Sequence, residues 1–146
     1  MVRHGARRAW PGQALVLAAV LLPFLVAVIG LAIDGAMVFA VKRGCQGVAD
    51  GAARAGAMEL DVATYRRTDG QLAILDTPLA AQESWRYLDA RGWSDASVGA
   101  TSTGVTVVAG RSVELGFLRL FGLGPVRVTA TGYAVPYHGI AYGEAP

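Results

Sequence analysis

The stretch GQALVLAAVLLPFLVAVIGLAID, Gly12–Asp34, decides how the rest of the chain is read. From Gln13 to Ile33 it holds 21 consecutive uncharged residues, nearly all apolar. A helix needs about 20 such residues to cross a hydrocarbon core about 30 Å thick. A cleavable secretory signal has a shorter apolar region, about 7–15 residues, followed by a small-residue cleavage site. Asp34-Gly35-Ala36 is not a strong site of that kind. The segment therefore reads as a retained transmembrane helix over residues 13–33. Pro23, in its middle, removes one backbone hydrogen bond and predicts a kink, which membrane helices tolerate when neighbouring groups satisfy the freed carbonyl.

The charges set an orientation. Before Asp34 the only charged residues are Arg3, Arg7 and Arg8. Basic residues stay on the cytoplasmic side, so residues 1–12 read as a cytoplasmic arm and everything beyond Asp34 as exported. From Asp34 onward there are ten basic and eleven acidic residues. That balance leaves no electrostatic footprint for nucleic acid. Cys45 is the single cysteine, which excludes an internal disulfide and reads as a small interior residue.

Beyond the apolar run the chain continues GAMVFAVKRGCQGVADGAARAGAMELD without a proline. Met37, Val41, Val48, Ala52 and Ala55 mark one broad apolar side at helical spacing, while Lys42, Arg43, Asp50, Arg54 and Glu59 can face water. The reading is one helix from about Gln13 to about Leu60, roughly 70 Å long, with residues 34–60 continuing outside the membrane. Each glycine in an exposed helix costs about 1 kcal/mol relative to alanine, so Gly30, Gly44, Gly47 and Gly51 call for a close-packing reason. Either the exported domain or other subunits could supply it. Asp34 sits at the outer membrane boundary. It can lie among headgroups, or pair with an arginine or free amine of a neighbouring chain, since a carboxylate just inside hydrocarbon is costly unless paired.

The order and spacing of several features then resemble a known family. They are Gly12-Gln13, Leu22-Pro23, Asp34, Lys42-Arg43 and Ala49-Asp50-Gly51-Ala52-Ala53, joined later by ELGFLRLFGLGPVRVTATGYA at Glu114–Ala134. Together they resemble Flp pilus-assembly TadE/TadG-like proteins. The resemblance implies a pilin-like or accessory membrane component of the tight-adherence pilus, held in the bacterial inner membrane. Its partners would be lipid, other pilin-like subunits, or platform proteins of that machine. One departure is Leu17, which stands where prepilins carry glutamate after the Gly12 processing position, and makes the segment more TadG-like.

The remainder, residues 61–135, reads as a small domain, with a tail at 136–146. Asp61–Pro78 reads as a connection with a short strand at Leu72–Leu75. Asp76 or Thr77 caps a helix with Pro78 in its first turn, Ala81, Trp85 and Leu88 on one face, and Gly92 at its end. Strands follow at Ser97–Thr101, Val105–Ala109, Ser112–Leu115 and Val126–Ala134, with the apolar turn GFLRLFGLGP before the last. That turn can close the core, or lie on the membrane or a partner. The fold class is α+β: a long N-terminal transmembrane and stalk helix, then a small antiparallel-sheet domain with one packed helix, as in pilins.

No catalytic chemistry emerges. His4 and His138 are the only histidines, and no nucleophile, phosphate-loop or calcium-loop pattern is present. The sequence thus predicts a non-catalytic membrane protein, with no cofactor, no metal and no small-molecule substrate, that acts in pilus assembly or related secretion and adhesion through helix packing. The competing reading is a monomeric, signal-anchored domain that binds a surface ligand.

Overall fold

The computed structural model describes residues 11–136; Arg3, Arg7, Arg8 and residues 137–146, His138 among them, lie outside the described residues. Three helices, α1 (Pro11–Ala57), α2 (Val62–Arg67) and α3 (Thr77–Asp89), precede three strands, β1 (Ala96–Thr101), β2 (Gly104–Val113) and β3 (Val126–Ala134). A 3-10 turn at Leu118–Phe121 separates the last two strands. The strands form one antiparallel sheet in the order β1-β2-β3. The α+β class expected from the sequence is the class observed.

α1 runs unbroken for 47 residues, through Pro23, and is about 70 Å long. Its first half touches little: from Ala14 to Ile29 every described side chain is exposed apart from the half-buried Ala27. Its second half is the centre of the domain. Gly30, Asp34, Cys45, Ala49, Ala52, Ala53 and Gly56 are buried, with Val38, Val41 and Val48 half-buried between them. These positions recur at steps of three and four, one stripe of a helix. The sequence reading placed Met37 on this side. The structure turns Met37 outward, 44% exposed, and uses Val38 instead.

Two clusters close over the stripe. Cys45, Ala49, Ala52 and Ala53 meet Leu75, Leu88, Trp93, Val105, Val107 and Ala130. Lower down, Val113, Leu115 and Val128 pack with Val38, Val41 and Leu118. The Cys45 thiol points inward and donates to the Val128 carbonyl at 3.7 Å. Small residues on the helix let the sheet approach closely. Gly132 of β3 shows why: a Cβ there would overlap the Ala49 and Asp50 backbone, which cannot move aside. Its neighbours follow the two-residue period of a half-buried strand, Val128 and Ala130 inward and Arg127, Thr129 and Thr131 outward.

α3 starts and stops where its sequence dictates. The Asp76 carboxylate accepts from the Leu79 amide at 3.3 Å. Gly92, at φ 64°, ends it: the Gly92 amide donates to Asp89 at 2.9 Å and the Trp93 amide to Leu88 at 3.0 Å, the paired bonds of a Schellman stop. The buried face is Ala80, Ser84 and Leu88, whereas Ala81 is half-buried and Trp85 is 38% exposed. The expected face is therefore rotated by one position. The reason lies in α1, where Gly56 leaves room for the Ala80 carbonyl and the Ser84 hydroxyl lies 3.0 Å from the Ala52 carbonyl.

Two other expectations change. Asp61–Pro78 is not a plain connection: Asp61 caps α2, accepting from the Thr64 amide at 3.0 Å and the Thr64 hydroxyl at 2.6 Å. Of the strand expected at Leu72–Leu75, only Leu75 pairs, in a single bridge to Leu60. Ser112 and Val113 are not a strand of their own but the end of the ten-residue β2, which pairs with β3 along most of its length. Three strands stand where four were read.

The closest helix–strand contact is directly testable. Gly132→Ala forces a methyl group against the Ala49 and Asp50 backbone, and overpacking of this kind costs about 1–3 kcal/mol. Gly44→Ala, where nothing lies within 4 Å, gains about 1 kcal/mol of helix propensity instead. Thermal unfolding of the two full-length variants in detergent should move in opposite directions.

Candidate functional site

The apolar turn between β2 and β3 folds back onto α1 at the outer end of the uncharged run. Asp34 makes the joint. Its Oδ1 accepts from the Gly116 amide at 2.8 Å and from the Phe117 amide at 3.2 Å. Its Oδ2 accepts from the Phe117 amide at 2.9 Å and the Leu118 amide at 2.7 Å. The first amides of a helical turn have no partner within the turn and carry its positive end, so a carboxylate is the complementary group. Charge-assisted bonds of this kind are also the stronger class.

Packing completes the joint. Asp34 is 1% exposed, closed over by this single layer of chain rather than by depth in a core. Gly116 leaves its approach open: a Cβ there would sit 3.4 Å from Oδ1. One helical turn below, Gly30 receives the Phe117 ring, and a Cβ at Gly30 would overlap that ring. Phe117 in turn meets Phe121, with ring centroids 5.2 Å apart.

The electrostatics follow from these donors. Asp34 lies one residue beyond the 13–33 span, and the Leu118 amide, ahead of those of Phe117 and Gly116, holds its carboxyl below the ordinary carboxylate range; burial opposes them. At Asp61 the Thr64 hydroxyl, then the Thr64 amide, do the same.

The residues singled out from the sequence now separate into two groups. Gly30 and Gly51 face the chain's own domain, Gly30 under Phe117 and Gly51 against the Tyr87 hydroxyl end. Gly44 and Gly47 are exposed, and a Cβ at either would meet nothing within 4 Å. Beside them Phe39, Lys42, Arg43 and Gln46 line a shallow depression. Asp34 finds its donors in its own chain. Pro23 lies in the exposed half of α1.

Sequence reasoning missed Gly56 and Gly132 as close-approach positions, and the Gly116–Leu118 amides as the partners of Asp34. One signal was available for the last. No basic side chain lies within a helical turn of Asp34, since the nearest is Lys42. A shielded carboxylate without a cation must draw on backbone amides, and a glycine-led apolar turn offers them.

With this geometry in view, comparison with known proteins gives one match. Residues 12–59 match the family model Tad, Flp pilus-assembly TadE/G-like. The matched segment is about a third of the chain and coincides with α1 and the residues just after it. It supports a role related to pilus assembly. No curated protein and no solved structure matches the chain. α1 is also long and apolar enough to cross a membrane, which together with the family match points to membrane anchoring.

Two outcomes test the joint. Asp34→Ala and Asp34→Asn should insert like the parent chain, because the apolar run is untouched. The Phe117 and Leu118 amides should lose protection from hydrogen exchange by about tenfold or more in Asp34→Ala, which removes both acceptor oxygens, and by less in Asp34→Asn, which replaces one of them with a donor. The pH dependence has a definite sign. A carboxyl held below its unfolded value, about 3.9, contributes stability that is full above that value and is lost as pH falls through the lower folded one. Amide NMR shifts of Gly116, Phe117 and Leu118 should therefore hold steady from neutral pH to about pH 4 and move only below it. Titration near pH 6 would contradict the assignment.

Proposed function

We propose that this chain is a non-catalytic, membrane-anchored, pilin-like or accessory component of an Flp/Tad-type pilus-assembly apparatus, and that it acts by helix packing. Its N-terminal arm lies in the cytoplasm, α1 crosses the bacterial inner membrane once, and the α+β head is exported. The observation that carries the reading is the division of the α1 glycines. Gly30, Gly51 and Gly56 are used by the chain's own head, which explains their lack of side chains. Gly44 and Gly47 have no such use among the described residues, yet each weakens the helix by about 1 kcal/mol relative to alanine. They share an exposed face with Ala40 and Arg43, next to the depression at Phe39 and Gln46. A second helix from another pilin-like subunit, or from a platform protein of the assembly machine, can approach closely there. The family match over residues 12–59 covers this face and supports the same reading.

The division also makes the test clean. Gly47→Trp adds bulk where the head makes no contact, so melting of the head should stay within about 1 kcal/mol of the parent. Proteins that co-purify from native membranes should be lost. An unchanged partner set from a folded Gly47→Trp chain would remove this face as the assembly surface.

A further inference from the structure

The turn after β2 carries its apolar side chains outward. Leu120 is 80% exposed, Phe121 69% and Leu123 47%, although Phe117 and Leu118 of the same turn pack inward. Core closure therefore accounts for only part of this segment. Its position on α1 accounts for the rest. Phe117 covers Gly30, which lies inside the uncharged run, and Asp34 bonds the turn to the end of that run. The exposed leucines and phenylalanine thus stand at the level where α1 leaves the hydrocarbon.

We propose that this turn is a second membrane contact, with Leu120, Phe121 and Leu123 seated in the boundary between headgroups and acyl chains of the outer leaflet. The proposal rests on the membrane-anchored reading of α1 and goes beyond it, because a single-pass anchor does not by itself require the head to touch lipid. Three observations favour lipid as the occupant. First, the turn continues a lipid-compatible surface: Leu31, Ile33 and Met37 of α1 are exposed at the same level. The uncharged run of 21 residues up to Ile33 is about 30 Å long, the thickness of the hydrocarbon core, so its outer end and the turn fastened there share one level.

Second, the turn is unusually well satisfied for chain at that depth. Its leading amides are taken by Asp34, and at its far end the Gly122 and Leu123 amides donate to Arg119 and Leu118 at 3.0 and 3.2 Å. Backbone near hydrocarbon requires internal partners of this kind. Third, the charges lie where headgroups would meet them. Arg119 is paired with Glu114 at 3.3 Å, and the exposed Lys42 stands about 12 Å beyond Asp34. Long basic side chains at that height reach anionic headgroups while their stems stay in apolar surroundings.

Site-directed spin labelling of the full chain decides the matter. The chain, with Cys45→Ala as background, is reconstituted alone into vesicles of three parts phosphatidylcholine to one part phosphatidylglycerol. Single labels are placed at Phe121→Cys, at Leu25→Cys in the apolar run, and at Ser102→Cys in the exposed β1–β2 turn. Collision with oxygen reports lipid, and collision with a water-soluble nickel chelate reports solvent. The oxygen-to-nickel ratio at position 121 should exceed that at 102 by about tenfold and approach that at 25. A solvent-like ratio at 121 with a lipid-like ratio at 25 overturns the proposal and leaves the turn free for a protein partner. A solvent-like ratio at 25 overturns the membrane reading itself, and the proposal with it.

Discussion

A carboxylate at the end of an apolar run needs hydrogen-bond donors that do not depend on water. The chain provides them from the start of the turn after β2, and much of the lower head is arranged around that demand. Once the Gly116, Phe117 and Leu118 amides are fixed on Asp34, the ends of β2 and β3 that flank the turn are fixed too. Val113, Leu115 and Val128 then meet Val38 and Val41. The Gly30–Phe117 contact works with this joint. The polar bonds set the position of the turn and the ring fills the space that glycine leaves.

The same helix serves as anchor below and core above, and its composition changes accordingly. Large branched side chains crowd its exposed first half, whereas alanine, glycine and one cysteine line its buried second half. In the first half no other described element packs against the helix, so bulk is tolerated there. In the second half bulk would hold off a sheet that must lie close enough for Gly132 to touch the helix backbone. Small residues on α1 thus fall into two groups, packed against the head at Gly51 and Gly56 and with no neighbour among the described residues at Gly44 and Gly47.

What could be read from the sequence was what local chemistry determines. The uncharged run, the absence of proline between Pro23 and Asp61 and the helical spacing of small residues gave a helix within a few residues of Pro11–Ala57. Asp76, Pro78 and Gly92 gave α3, and strict alternation gave β3 from Val126 to Ala134. Rotational phase was not legible. Val38 rather than Met37, and Ala80 with Ser84 rather than Ala81 with Trp85, face inward because of what the opposing element presents. The partner of Asp34 was hidden for the same reason, since donor and acceptor stand 82 residues apart in the chain. The merger of Ser112 and Val113 into β2 likewise depends on β3 lying alongside.

Pro23 has a mechanical consequence. A proline cannot donate to the carbonyl four residues earlier, so the helix is softest near Ala19–Pro23. The contact of the head at Gly30 lies about two turns above. From Gly30 upward Asp34, the sheet and α3 tie α1 to the head, while around Pro23 the side chains of α1 are exposed. The backbone bond that proline removes thus falls below the head, in the part of α1 that no other described element braces.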